Sequence, residues 1–213
     1  MRTDHLINAL ASDVCAKRLS PGPSVTLALA AGIATTTSIF FAGVGFRMDI
    51  LQAVTTFRFL YKFVIVLSLL VPSIAVFTQL TRPVKPPSHW SRALLVAAAL
   101  LCVGVVAELV HLRPEEWGIR LVGQNMRNCL TIIPALSAAP LAFLLLALRH
   151  GAPANPRLAG SIAGLASGAI AAFLYASNCT DDSPLFVATW YPIAIGMVTF
   201  CGGLIGGSSF FKW

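Results

Sequence analysis

The sequence predicts an all-α, polytopic membrane protein with six transmembrane helices and both termini in the cytoplasm. Hydrophobic residues make up 57% of the 213 residues and charged residues only 11%, whereas about a quarter of the residues in a soluble domain are charged. The mean hydropathy of +0.80 is spread over several long apolar runs. These runs leave almost no sequence for a separate soluble domain.

Six apolar runs are close to the length that crosses a bilayer as a helix, which is about 20 residues. Backbone polar groups must be paired in hydrocarbon, and the runs lack the alternating pattern of strands, so helices are expected. We place the spans at 24–46, 59–80, 92–111, 127–148, 157–178 and 184–207. The chain then divides into a cytoplasmic N-terminal segment (1–23), a six-helix bundle (24–207) and a cytoplasmic C-terminal tail (208–213).

The positive charges orient this bundle, because the cytoplasmic flanks of spans carry an excess of Lys and Arg. Nine lie at one end of the predicted bundle: Arg2, Lys17, Arg18, Arg82, Lys85, Arg92, Arg149, Arg157 and Lys212. Six lie at the other end: Arg47, Arg58, Lys62, Arg113, Arg120 and Arg127. We therefore expect the first end, with both termini, to face the cytoplasm.

Two kinds of local pattern predict further structure. Pro114 followed by Glu115 and Glu116 is typical of a first helical turn, so a short outer helix is expected there, and a second near 49–54. Glycines recur at four-residue spacing in the last two spans, at Gly160, Gly164, Gly168, Gly202, Gly203, Gly206 and Gly207. Small residues at this spacing allow close helix packing. We expect the last two spans to form a tight hairpin, with Asp182 or Ser183 capping the final helix and Pro184 opening it.

The five cysteines divide by depth. Cys15 lies in the N-terminal segment, whereas Cys102 and Cys201 lie within spans, where a thiol is usually a small apolar filler. Cys129 and Cys179 lie at the outer ends of spans four and five, on the oxidising side. Three interpretations of this pair stay open: a structural disulfide, a reversible thiol or soft-metal sensor, and two unrelated free thiols.

Four other polar side chains at this level are candidate auxiliary groups: Glu108, His111, Asp181 and Asp182. They could add ligands to a soft metal ion acting as a signal, although the spacing matches no known metal site and no resident cofactor is expected. Glu108 is the one acid predicted within a span, and such acids are usually functional. Alternatively, Glu108 and His111 share a helical face and simply reach the headgroup region.

The N-terminal segment contains an amphipathic pattern. Thr3 or Asp4 can cap a short helix on which Leu6, Ile7 and Leu10 share one face. The helix could lie on the inner leaflet, but it contains no Lys or Arg, which lipid-surface helices usually carry. We therefore favour a helix that docks its apolar face into the groove of a partner.

These features together resemble the NrsF family, the negative regulators of sigma F. The resemblance rests on the opening RTDHLINALASD, on the six-span plan, and on Gly123, Gln124 and Asn125 followed by Cys129 and Pro134. Its most specific element is the stretch CTDDSPLF, Cys179 to Phe186, with Trp190 and Tyr191 beyond it. The resemblance covers essentially the whole chain.

The resemblance implies a multi-pass anti-sigma factor of the bacterial inner membrane, not an enzyme. It would sequester an extracytoplasmic-function sigma factor on the cytoplasmic side, without direct contact to nucleic acid. Cys129 and Cys179 would sense periplasmic oxidative or heavy-metal stress and release the partner. The expected partner-binding residues are Thr3, Asp4, Leu6, Ile7 and Leu10. Asn128 and Asn178 stand where many relatives would carry histidine, which favours plain thiol chemistry.

Two other classes of function stay open. The chain could be a small membrane transporter or redox carrier that uses the outer thiols and Glu108, or a structural subunit of a larger membrane complex. The sequence contains no nucleotide-binding glycine loop, no HExxH and no pair of cysteines within one loop, which disfavours an enzyme.

Overall fold

The computed structural model describes residues 21–81, 89–151 and 153–208, and all regular secondary structure in these ranges is helical. The helices are α1 (Pro21–Gly43), α2 (Ile50–Ala53), α3 (Phe57–Leu80), α4 (His89–His111), α5 (Pro114–Val122), α6 (Met126–Leu148), α7 (Pro156–Ala176) and α8 (Pro184–Gly206). Within these ranges, six helices are long and apolar enough to cross a membrane. The prediction of an all-α membrane protein with six spanning helices is therefore confirmed.

Prolines mark where several of these helices begin. α1, α5, α7 and α8 open on Pro21, Pro114, Pro156 and Pro184, since the N–H that proline lacks has no intrahelical partner in the first turn. This preference also explains why α1 begins before residue 24, where the apolar run starts. Both predicted short outer helices are present as α2 and α5.

α7 is the central helix of the bundle. It packs against α8, α6 and α3, while α1 packs against α6, and α4 lies between α3 and α8. The most apolar window of α7 is 67% buried, compared with 17% for α4. α4 is therefore the peripheral span, with most of its surface available to lipid.

The predicted hairpin of the last two spans is present as a glycine seam between α7 and α8. We define the seam by Gly160 and Gly164 on α7 and Gly202 and Gly206 on α8. A Cβ atom on Gly160 would overlap backbone atoms of Gly202 and Gly206, and one on Gly164 would overlap the backbone around Val198. The two helix backbones are therefore in direct contact, which only small residues permit.

The two ends of the bundle differ in what they carry. One end, which we call the thiol end, is formed by residues 44–56, 112–125 and 177–183. The opposite end, which we call the tail end, contains the beginnings of α1 and α4, residues 149–151 and 153–155 between α6 and α7, and the end of α8. The residues for which the sequence predicts a role in the N-terminal segment lie outside the described residues: Thr3, Asp4, Leu6, Ile7, Leu10 and Cys15. Cys102 and Cys201 are exposed on the sides of α4 and α8, so these two thiols face away from the core of the bundle.

Candidate functional site

Cys129 and Cys179 come together at the thiol end. Cys129 lies in the first turn of α6 and Cys179 in the loop between α7 and α8. Both are free thiols without exposed surface, and both belong to one hydrophobic cluster that includes Phe186. The Sγ of Cys179 lies 3.7 Å from the carbonyl oxygen of Asp181, as a weak donor. The thiols thus share one enclosed apolar compartment.

Two tyrosines line this compartment. Tyr175 of α7 and Tyr191 of α8 are buried, with ring centroids 6.3 Å apart. Both side chains belong to the same cluster of buried residues as the two thiols, and neither hydroxyl makes a hydrogen bond within the described part of the chain. Since buried hydroxyls normally have a partner, the compartment holds two donors that could serve a sulfur that gains negative charge.

Two cations hold the main-chain carbonyl of Cys179. Lys62 Nζ donates to this oxygen at 3.0 Å and Arg47 Nη1 at 3.3 Å. The carboxylate of Asp182 joins both cations, at 2.6 Å from Lys62 Nζ and 2.8 Å from Arg47 Nη1. We call these groups the Asp182 cluster. The side chain of Lys62 is only 1% exposed, so its ion pair with Asp182 is desolvated and costly to break.

Asp181 joins the same loop to the beginning of α6. Its Oδ2 accepts hydrogen bonds from the main-chain N–H groups of Gln124 at 3.0 Å and Asn125 at 2.8 Å, and from the Asn125 side chain at 3.0 Å. A carboxylate is favoured at the N-terminal end of a helix. The N–H of Cys129 in turn bonds to the Asn125 carbonyl at 2.8 Å. Asp181 therefore links the two segments that carry the thiols.

Ser183 joins the loop to α4. Its hydroxyl donates to Glu108 Oε2 at 2.7 Å, and the N–H of Leu185 donates to the same oxygen at 3.0 Å. Ser183 occupies the predicted N-cap position of α8 and Pro184 opens the helix, but the Ser183 side chain makes no capping hydrogen bond, and Asp182 pairs with Lys62 and Arg47 instead. The carboxylate of Glu108, on α4, takes the place of the capping acceptor by accepting the N–H of Leu185.

The short helix α5 is fastened over this loop. Gly123, which follows α5, has φ +59° and ψ −167°, a conformation that is almost restricted to glycine. A Cβ atom there would meet the ring of Phe186 and the carboxyl group of Asp181. Trp190 Nε1 also donates to the Leu121 carbonyl at 2.8 Å. α5 is thereby held against both the loop and α8.

Burial governs the ionisation of Cys179. Removal from water raises the pKa of its thiol above the usual range, and the ammonium of Lys62 opposes the shift only in part. The thiol is therefore protonated at neutral pH, although the thiolate is the form that attacks disulfides and binds metals. A reagent must both reach Cys179 and take its proton.

The predicted auxiliary residues fall into separate places. Asp181 and Asp182 follow Cys179 closely in the loop, but their carboxylates are bound to Asn125 and to Lys62 and Arg47, respectively. Glu108 is 5% exposed, so its side chain is turned into the bundle, near the end of α4. His111 is exposed at the end of α4 and its Nδ1 lies 2.7 Å from a carbonyl of its own helix. Nowhere in the described part of the chain are three His, Cys, Asp or Glu residues grouped to hold a metal ion.

Two residues of the site, Lys62 and Arg47, were not predicted from the sequence, where they contributed only to the expected orientation of the bundle. One signal could have revealed Lys62, because a basic residue inside an apolar span normally has a specific partner. No local signal exists for Arg47, since its contact with Asp182 joins positions 135 residues apart.

Comparison with known proteins gives matches along nearly the full chain. The family described as negative regulator of sigma F, NrsF, matches residues 10–213. The probable anti-sigma-F factor NrsF of Azospira oryzae is 29% identical over 215 residues and covers 100% of both chains. The anti-sigma-F factor NrsF of Caulobacter vibrioides is 33% identical over 214 residues, covering 97% of this chain and 96% of its own.

No solved structure matches the chain. The family match nevertheless confirms the resemblance seen in the CTDDSPLF stretch, and the family consists of regulatory proteins rather than enzymes. The chain therefore belongs to the NrsF family, the negative regulators of sigma F.

Proposed function

We propose that this protein is an anti-sigma factor of the bacterial inner membrane that sequesters an extracytoplasmic-function sigma factor. Both termini would lie in the cytoplasm, with Thr3, Asp4, Leu6, Ile7 and Leu10 contacting the partner. The two relatives named as anti-sigma-F factors support the regulatory role, and the distribution of Lys and Arg supports the orientation. Family membership favours this role over the transporter, redox-carrier and structural-subunit alternatives.

The sensing step in this proposal belongs to Cys129 and Cys179 on the periplasmic side. The observation that carries it is that both thiols are fully buried in one compartment, whose loop is joined to three other helical segments. Chemical change at either sulfur would disturb packing directly, because closely packed interiors cannot absorb a change in volume or charge without moving.

Two reactions fit this pair of thiols. A peroxide could accept two electrons and two protons from them, forming a disulfide, with hydrogen peroxide reduced to two water molecules or an organic peroxide reduced to an alcohol and water. Alternatively, a soft divalent metal ion could displace both protons and bind two thiolates. Either product shifts the equilibrium only if it favours the releasing conformation over the repressing one, so a permanent structural disulfide would give no signal.

The proposed signal leaves the loop through its polar contacts. A displacement of the Cys179 carbonyl would reach α3 through Lys62, at 3.0 Å. Movement of Asp181 would reach α6 through Asn125, at 2.8 Å, and movement of Ser183 would reach α4 through Glu108, at 2.7 Å. These spanning helices extend to the tail end, where the partner is proposed to bind.

Replacing both sensing thiols tests the proposal. In cells carrying a reporter for the partner sigma factor, the Cys129→Ser, Cys179→Ser double variant should repress the reporter normally without stress. The reporter should not be induced when peroxide or cadmium is added, because serine neither forms a disulfide nor binds soft metals.

The chain offers a matched control. Cys102→Ser with Cys201→Ser also removes two thiols, but these lie exposed on the sides of the bundle, so induction should be unchanged. Normal stress induction in the Cys129, Cys179 double variant would exclude the proposed sensor. Immunoblotting of membranes would confirm that both variants accumulate to the same level.

A further inference from the structure

We propose that a second site lies between α3, α4 and the beginning of α8, and that it binds the headgroup of phosphatidylethanolamine. The site, which we call the Glu108 pocket, is a cavity of about 280 Å³ lined by Phe57, Arg58, Tyr61, Gly104, Glu108 and His111, among others. It uses none of the thiols, so it is a binding property beyond the proposed sensing function.

One carboxylate oxygen of Glu108 carries the inference. The side chain is only 2% exposed, and its Oε2 accepts two hydrogen bonds, from Ser183 and Leu185. Its Oε1 is buried and accepts no hydrogen bond within the described part of the chain; its contact with a cation there is the ion pair with Arg58 Nη2, at 3.5 Å. A buried carboxylate oxygen whose donor lies at this distance is poorly satisfied. Oε1 therefore favours a ligand that brings an N–H or O–H group closer.

A complementary positive charge lies beside this oxygen. Arg58 Nη2 is 3.5 Å from Oε1, and the Arg58 side chain is 46% exposed. A guanidinium in this position can bind a phosphate through two parallel hydrogen bonds. Adjacent carboxylate and guanidinium groups match a ligand that carries an ammonium and a phosphate a few bonds apart.

The surroundings of the pocket indicate a lipid. α4 is the least buried span, and it exposes Val103, Val106 and Val110 by 63%, 60% and 78%. Phe57, at the mouth of the pocket, is 77% exposed. These apolar surfaces would face acyl chains, and the pocket lies where α3 begins and α4 ends, near the headgroup level. The ligand would thus enter from the bilayer.

The chemistry of Oε1 selects among phospholipids. The ammonium of phosphatidylethanolamine presents three N–H donors, whereas the quaternary ammonium of phosphatidylcholine presents none, and phosphatidylglycerol has no cation. We expect the affinity for phosphatidylethanolamine to exceed that for phosphatidylcholine with the same acyl chains by about tenfold. This is the effect of one charge-assisted hydrogen bond.

The first test uses the wild-type protein and needs no substitution. Native mass spectrometry of the full chain in mild detergent would measure the retention of phosphatidylethanolamine, its N-methyl and N,N-dimethyl derivatives, phosphatidylcholine and phosphatidylglycerol, all with identical acyl chains. Retention should fall as each methyl group replaces an N–H. Equal retention of phosphatidylethanolamine and phosphatidylcholine would overturn the proposal.

Two substitutions locate the site. Glu108→Gln keeps an oxygen for Ser183 and Leu185 while placing an NH₂ group where Oε1 was, so preference for phosphatidylethanolamine should disappear. Arg58→Gln should weaken retention of every phospholipid in the series through loss of the phosphate contact. Arg120→Gln, which removes an exposed charge from α5 outside the pocket, should bind as wild type does.

The proposal can still be tested if one of the variants misfolds. Circular dichroism and size-exclusion chromatography would show whether Glu108→Gln is folded, and the methylation series on wild-type protein stands without it. Undiminished preference for phosphatidylethanolamine in folded Glu108→Gln would show that the ammonium binds elsewhere and would refute the Glu108 pocket.

Discussion

The glycine seam and the thiol end hold the same two helices by opposite means. At the seam, α7 and α8 touch through backbone atoms around Gly160 and Gly202, and no charged group takes part. At the thiol end, the loop between the same helices is held by side chains that reach other parts of the bundle: Asp181 to Asn125, Asp182 to Lys62 and Arg47, and Ser183 to Glu108.

The two kinds of contact therefore have different structural roles. The seam fixes α7 and α8 relative to each other by shape, so it leaves little freedom for movement between them. The loop contacts fix this hairpin relative to α3, α4 and α6 by charge and hydrogen bonding, and the chemical change proposed at the thiols would act on these contacts. A rigid pair of helices with polar, breakable attachments is suited to move as one unit.

Breaking the seam should have the largest effect on stability. Gly160→Val places side-chain atoms where the backbone of Gly202 and Gly206 lies, so the helices must separate. We expect a loss of more than about 4 kcal/mol of unfolding free energy, measured by denaturant titration in detergent with circular dichroism.

The control for this prediction is Gly196→Val on α8, where an added Cβ atom meets nothing within 4 Å. The unfolding free energy of this variant should remain close to the wild-type value. Equal destabilisation by the two substitutions would mean that helix propensity, rather than close approach, explains the requirement for glycine at the seam.

Breaking the Asp182 cluster should have the next largest effect. Asp182→Asn removes the counter-charge of Lys62, whose side chain is 1% exposed. Leaving a buried cation without its partner costs about 3 kcal/mol, which the same unfolding experiment would detect. Basal repression of the reporter should also change if the cluster connects the loop to the tail end.

Asp49→Asn is the matched control, because it removes the other carboxylate that pairs with Arg47, at 2.6 Å. The Asp49 side chain is 48% exposed, and the pKa of its carboxyl group is lowered by the same guanidinium. Exposed pairs contribute little to stability, so we expect no measurable change. A loss of unfolding free energy equal to that of Asp182→Asn would show that burial does not determine how much these ion pairs contribute to stability.

The smallest of the three effects should come from Gly123, at the junction of α5 and the loop. Gly123→Ala forces a non-glycine residue into φ +59° and ψ −167° and brings a Cβ atom against the ring of Phe186. We expect a loss of about 2 kcal/mol. Because α5 would be displaced from the loop, alkylation of Cys179 by iodoacetamide should become faster.

Gly118→Ala provides the comparison within α5 itself. A Cβ atom at Gly118 meets nothing within 4 Å, and alanine favours a helix over glycine. Stability should be unchanged or slightly higher, with the alkylation rate of Cys179 as in wild type. Faster alkylation in both variants would show that α5 does not restrict access to the thiol.

The sequence allowed prediction of what depends on neighbours along the chain. Apolar runs revealed six spans, Pro114 with its two acids revealed α5, and the four-residue glycine spacing revealed the hairpin of α7 and α8. Each pattern reflects a local requirement, namely bilayer thickness, a helix first turn, or contact between consecutive helices.

What could not be predicted depends on distant contacts. Ser183 has the sequence position of a helix cap, yet Glu108, 75 residues earlier, takes its hydroxyl. Lys62 lies 117 residues from the carbonyl to which it donates. Which acceptor such a group finds is decided by helix packing, and packing of apolar helix faces leaves no simple periodic signal. The position of Cys129 beside Cys179 likewise depends on how the helices of the bundle pack together.

The contacts of Lys62 also set an order of assembly during synthesis. Its ammonium donates to Cys179 and Asp182, which belong to the segment just before the final helix. Five of the six spans emerge from the ribosome before Asp182 can neutralise this cation inside the bundle. A chain truncated before residue 179 would retain the cation of Lys62 inside the bundle with neither of these acceptors.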